Sequence, residues 1–103
     1  MFRFKPRLEF MPKAVWKDVV LAQSERCEVV EGNTYFPPSS LNRQYFQDSS
    51  NSTVCGWKGI ASYFNVVVGE YMSKNAAWYY SPPNPAAQNI AGYVAFGKDV
   101  KVV

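Results

Sequence analysis

The sequence predicts a mainly β fold, an antiparallel sandwich or half-open barrel carrying one short helix. Three observations predict it. Apolar and polar residues alternate with period two in short runs, as half-buried strands require. Gly, Pro, Asn and Asp interrupt those runs at close spacing, which suits hairpins rather than long helices. Of 103 residues, 48% are hydrophobic and 17% aromatic, so one packed core can form, but the chain is too short for two.

Residues 1–12 read as an N-terminal edge strand or arm. Phe2, Phe4, Leu8 and Phe10 fall on one side and Arg3, Lys5, Arg7 and Glu9 on the other, while Pro6 lacks the N–H that a central strand needs. Residues 13–103 read as the domain proper. Ala14–Lys17 and Val19–Ala22 form a hairpin about Asp18, with Asp18-Val19 as an unusual turn pair. In the next strand, Cys27, Val29 and Glu31 share one face, and Gly32-Asn33 turns the chain into Tyr35-Phe36-Pro37-Pro38. The prolines stop that strand. Ser39–Asn42 suits one helical turn capped by a serine. Tyr45–Gln47 is a short strand, and Asp48–Thr53 is polar enough to be a surface loop.

Ile60–Val68 is apolar on both faces and is predicted as a central strand. Gly69-Glu70 turns it into strands at Tyr71–Ser73 and Ala76–Tyr80. The helix is placed at residues 86–91, with Pro85 at its start and Gly92 at its end. Strands at Tyr93–Phe96 and Val100–Val103 close the chain.

Several chemistries are excluded by composition. There is no histidine, so Ser-His-Asp and Cys-His catalysis and histidine-ligated zinc are absent, and two cysteines cannot build a four-thiolate site. No glycine-rich phosphate loop occurs. No metal or cofactor is expected. The chain has no apolar run of the roughly 20 residues that a membrane helix needs. Its N-terminus does not read as a signal peptide, and the sparse cysteines suggest a cytoplasmic protein. A net charge of +3, from eleven bases against eight acids, makes nucleic acid an unlikely partner.

The candidate site is Cys55-Gly56-Trp57-Lys58-Gly59. It has the length of a turn, and its glycines permit positive φ. Such a turn brings the thiol of Cys55 and the amine of Lys58 together. An ammonium beside a thiol favours the thiolate, and burial lowers a lysine pKa toward neutrality, so the pair reads as catalytic or as an anion anchor. Tyr63, Trp78 and Tyr80 are placed as pocket walls, the last two sharing a strand face.

This stretch, continued by Ala61-Ser62-Tyr63, resembles the Cys-Pro-aromatic-Lys-Gly-x-Ala-x-Tyr signature of the family called domain of unknown function 427. Three further pieces match in order: Tyr35-Phe36-Pro37, Ala77-Trp78-Tyr79-Tyr80 with Pro82 or Pro83, and Ile90–Phe96. Gly56 stands where the family has proline, which loosens the turn. The resemblance implies a β-tent domain, an architecture shared with zinc-binding relatives whose ligand cysteines are missing here. It implies no established activity. It does make Cys55, Lys58, Tyr63, Trp78 and Tyr80 signature positions, and Tyr35 joins them as a ligand-binding residue.

The leading expectation is therefore a domain that binds an unidentified small molecule, with or without turnover. The alternatives are a non-catalytic interaction module, or homodimer, pairing through residues 2–10, and a weak single-stranded nucleic-acid binder.

Overall fold

The computed structural model describes residues 11–97 and 99–103. The expected arm at residues 2–10 lies outside them. Among the described residues nine strands follow in order: β1 (Lys13–Trp16), β2 (Val19–Gln23), β3 (Glu28–Val30), β4 (Asn33–Tyr35), β5 (Phe46–Cys55), β6 (Gly59–Val68), β7 (Tyr71–Tyr80), β8 (Val94–Phe96) and β9 (Lys101–Val102). They form a four-stranded sheet β5-β6-β7-β8, a three-stranded sheet β2-β1-β9 and a two-stranded hairpin β3-β4. Every pairing between these strands is antiparallel. The sheets pack as layers and do not close into a barrel. Among the described residues no helix is long and apolar enough to cross a membrane.

The four-stranded sheet organises the rest because both of its faces are covered. Paired residues across a ladder point to the same face. Tyr63 pairs with Trp78 and Ala61 with Tyr80 on one face, while Phe64 pairs with Ala77 and Ser62 with Tyr79 on the other. Phe64, Val66, Ala77 and Phe96 join Leu21, Ala22 and Phe36 in one apolar cluster, which the three-stranded sheet covers. Ala61, Tyr80 and Ala95 join Tyr35, Ala87 and Ile90 in a second cluster on the opposite face. The β3-β4 hairpin reaches the sheet at its β8 edge, where Phe36 N–H donates to Val94 O at 2.7 Å and Val94 N–H donates to Phe36 O at 2.8 Å.

Several expectations are corrected. Asp48–Thr53 is not a loop but the middle of β5. A strand at a sheet edge can bond its backbone to one neighbour while its side chains face water, so it needs no apolar alternation. Its pairing with β6 is irregular between Asp48 and Ser52. There the Ser49 hydroxyl bonds Asn75 Oδ1 at 2.5 Å and accepts from Asn51 N–H at 3.0 Å. The segments Tyr71–Ser73 and Ala76–Tyr80 are one strand, joined through Asn75 at φ 55°, whose N–H donates to Asn65 Oδ1.

The helix near residues 86–91 is a 3₁₀ segment, Pro85–Ile90, with its backbone off helical geometry at Ala87. Six residues are too few to stabilise an α-helical nucleus. The buried positions Ala87 and Ile90 are three apart, the spacing a 3₁₀ turn stacks. Ser39–Asn42 is likewise replaced by short 3₁₀ turns at Pro38–Ser40 and Arg43–Tyr45, and no serine caps them. Ser40 instead donates its hydroxyl back to Pro37 O.

The Gly69-Glu70 turn joins β6 to β7 as expected, but two other hairpin turns sit one residue earlier than expected. Lys17-Asp18 joins β1 to β2 and Glu31-Gly32 joins β3 to β4, with both residues of each pair at positive φ. That is the signature of the tight turn that matches strand twist. Glu31 is therefore at a hairpin tip rather than within a strand.

Candidate functional site

Gly56-Trp57-Lys58 links β5 to β6, with Cys55 facing Gly59 across the ladder. Of the two glycines only Gly59 uses its freedom, at φ 115°. It is also a point of close approach, because a Cβ there would lie 3.3 Å from Asn84 N. The Asn84 N–H donates to Lys58 O at 2.8 Å, which fixes the lysine backbone against the segment leading into Pro85–Ile90.

From that fixed point the Lys58 side chain turns inward and is only 6% exposed. Its ammonium donates to Glu31 Oε1. It lies 5.6 Å from the Tyr80 ring centroid and 5.5 Å from that of Trp57, both within cation–π range. The other Glu31 oxygen, Oε2, accepts from Trp57 Nε1 at 3.1 Å. One carboxylate thus spans two donors supplied by a single turn. Glu31 itself remains 52% exposed, so the cation is buried and its counter-ion faces solvent.

Electrostatics follow this layout. Burial pulls the Lys58 pKa down, but the Glu31 hydrogen bond and the nearby Tyr35, Tyr80 and Cys55 push it up, and the net shift is upward. The expected depression toward neutrality does not occur. A lysine held in this way is protonated at neutral pH. Hydrogen bonds from Lys58 and Trp57 hold the Glu31 carboxyl below its ordinary value. Burial pushes the Tyr80 phenol up, so it stays a neutral O–H.

The structure brings Cys55, Lys58, Tyr35 and Tyr80 into one neighbourhood, although the partner of the amine is Glu31 and the thiol acts on it only weakly. Trp78 joins through Tyr35, donating Nε1–H to its hydroxyl at 3.2 Å. Tyr63 packs on Trp78 with ring centroids 6.4 Å apart, and its own hydroxyl is engaged by Thr53 at 2.9 Å. A groove of about 350 Å³ lies on the other face of the four-stranded sheet, lined by Leu41, Arg43, Asp48, Phe64, Tyr79 and Val94 among others, and none of the six candidate residues borders it.

Glu31 was not among the sequence candidates, whose nearest acids were Asp48 and Glu70. It lies 27 residues from Lys58. Its one local signal is the following Gly32, which marks a turn nearby without placing Glu31 in it.

Comparison with curated proteins returns no match. A family model described as a domain of unknown function (DUF427) matches residues 11–103, which takes in every strand among the described residues and all the residues gathered around Lys58. The chain belongs to the DUF427 family.

Proposed function

We propose that this domain binds a small anionic molecule, with Lys58 as its anchor and Trp57 and Tyr80 as the aromatic surface beside the charge. The observation that carries this reading is a buried lysine side chain whose counter-ion is a half-exposed carboxylate. Ion pairs that serve stability alone gain little when one partner is solvated. A buried cation reached from solvent by exchanging one carboxylate for another anion is an arrangement suited to recognition. The raised Lys58 pKa favours binding over a base-catalysed reaction.

The test is an amide NMR titration of the whole chain with acetate, benzoate and inorganic phosphate, repeated on Lys58→Met. At least one anion should shift resonances of the Gly56–Gly59 turn in a saturable way, and the substitution should abolish the effect. If no anion shifts the turn, or if Lys58→Met responds as the native chain does, the reading is wrong.

A further inference from the structure

The position of Glu31 bears on which anion the site accepts. Its two oxygens are divided between two donors, Oε1 on the Lys58 ammonium and Oε2 on Trp57 Nε1. The site is therefore already filled by a carboxylate, bound through both oxygens. Lys58 is the one cation acting on that carboxylate among the described residues. One positive charge balances a monoanion. A phosphate dianion would keep a second charge beside the buried phenols of Tyr35 and Tyr80, with no second cation among the described residues to offset it.

We propose that the Glu31 side chain is an internal placeholder for a small organic monocarboxylate, which displaces it and takes up the same Lys58 and Trp57 donors. This rests on the anion-binding reading above and names the ligand class. The exposed side of Glu31 is the route of entry. Trp57, 41% exposed and lying beside the ammonium, offers a flat apolar surface to the body of the entering acid. Glu31 then acts as a built-in competitor. A site open only part of the time binds with its intrinsic affinity reduced by the open fraction, so a side chain that occupies it nine-tenths of the time weakens binding about tenfold.

The test compares benzoate, acetate and inorganic phosphate binding to native protein, Glu31→Ala and Glu31→Gln, by amide NMR titration at neutral pH. Glu31→Ala should bind benzoate about tenfold more tightly or better, with acetate gaining in parallel. Glu31→Gln, which keeps its size but loses its charge, should gain in the same direction, and phosphate should gain least. The Lys58→Met/Glu31→Ala double variant should lose the gain. Amide spectra of each variant establish that it is folded, and Glu31→Gln carries the test if Glu31→Ala is not. Unchanged or weaker benzoate affinity in the folded Glu31 variants overturns the placeholder role. It leaves anion binding standing if the native chain still binds an anion through Lys58. A larger gain for phosphate than for benzoate overturns the monocarboxylate assignment. No response from any protein to any of the three overturns both readings.

Discussion

Tyr35→Phe isolates one hydrogen bond beneath the site. Tyr35 is fully buried, and its hydroxyl accepts the Trp78 Nε1 proton at 3.2 Å. The substitution removes one oxygen, leaves the ring packing in place and strands a partly buried indole N–H. A net hydrogen bond contributes about 0.5–1.5 kcal/mol, and an orphaned donor brings the loss toward ~1–3 kcal/mol. A destabilisation of about 1–2 kcal/mol is expected, which in a domain of this size lowers Tm by roughly 5–15 °C. Tyr63→Phe is the matched control. Its hydroxyl meets Thr53 at an exposed position, so water replaces the lost partner and the loss should stay within about 0.5 kcal/mol. Urea unfolding followed by tryptophan fluorescence measures both. If Tyr35→Phe falls within 0.5 kcal/mol of the native chain, or if Tyr63→Phe loses as much, burial does not set the worth of these two bonds and the reasoning fails.

Gly59→Ala should destabilise by about 1–3 kcal/mol, because it forces a Cβ onto φ 115° and against Asn84. Gly56→Ala, with nothing within 4 Å of its added carbon, should be near neutral, and equal losses in urea unfolding would contradict the assigned roles of the two glycines. The Lys58–Glu31 pair should leave its mark on stability only at the extremes of pH. The raised Lys58 pKa gives a contribution fully present below 10.5 that fades as pH rises through the higher folded value. The lowered Glu31 pKa gives one present above 4.5 that fades as pH falls through the lower folded value. The stability difference between the native chain and Lys58→Met/Glu31→Gln should therefore be flat from about pH 5 to 10 and change outside it. A step between pH 6 and 8 would contradict the assignment, in a chain without histidine.

The sequence made strands legible wherever one face is buried. β2 shows as a short apolar run with Leu21 and Ala22 buried, and β6 as a run apolar on both faces, with Ala61 in one cluster and Phe64 and Val66 in the other. β5 escaped because an edge strand whose side chains face water carries no such pattern, and its polar run reads like a loop. Turn positions slipped by one residue because Lys17-Asp18 and Glu31-Gly32 adopt positive φ without the Asn-Gly pair that announces such turns. The same slip hid the acid at the site. Assigned to a strand beside Cys27 and Val29, Glu31 had no visible relation to Lys58, and only the fold of the hairpin across the sheet brings them together. Lys58 and its turn were visible as one local stretch and Tyr35 and Tyr80 through separate pieces of the family signature, whereas the counter-ion is a product of topology.

That topology also makes Glu31 the more exposed and less anchored member of the pair. A hairpin with strands of three residues is marginal by itself and depends on what anchors it. The base of β3-β4 is anchored by burial, with Tyr35 and Phe36 fully enclosed and Phe36 doubly bonded to Val94. Its tip is anchored by charge, through the Glu31 bonds to Lys58 and Trp57, while Val29 near the tip stays 69% exposed. Burial is lost only by unfolding the contact, whereas a solvated carboxylate held by two hydrogen bonds leaves its donors by a side-chain rotation. Lys58 has no such freedom, since its backbone is bonded to Asn84 and its stem is enclosed. In the binding reading proposed above, competition at this site would fall on the acid and spare the base, and the Glu31 side chain at the hairpin tip would be what an entering ligand displaces.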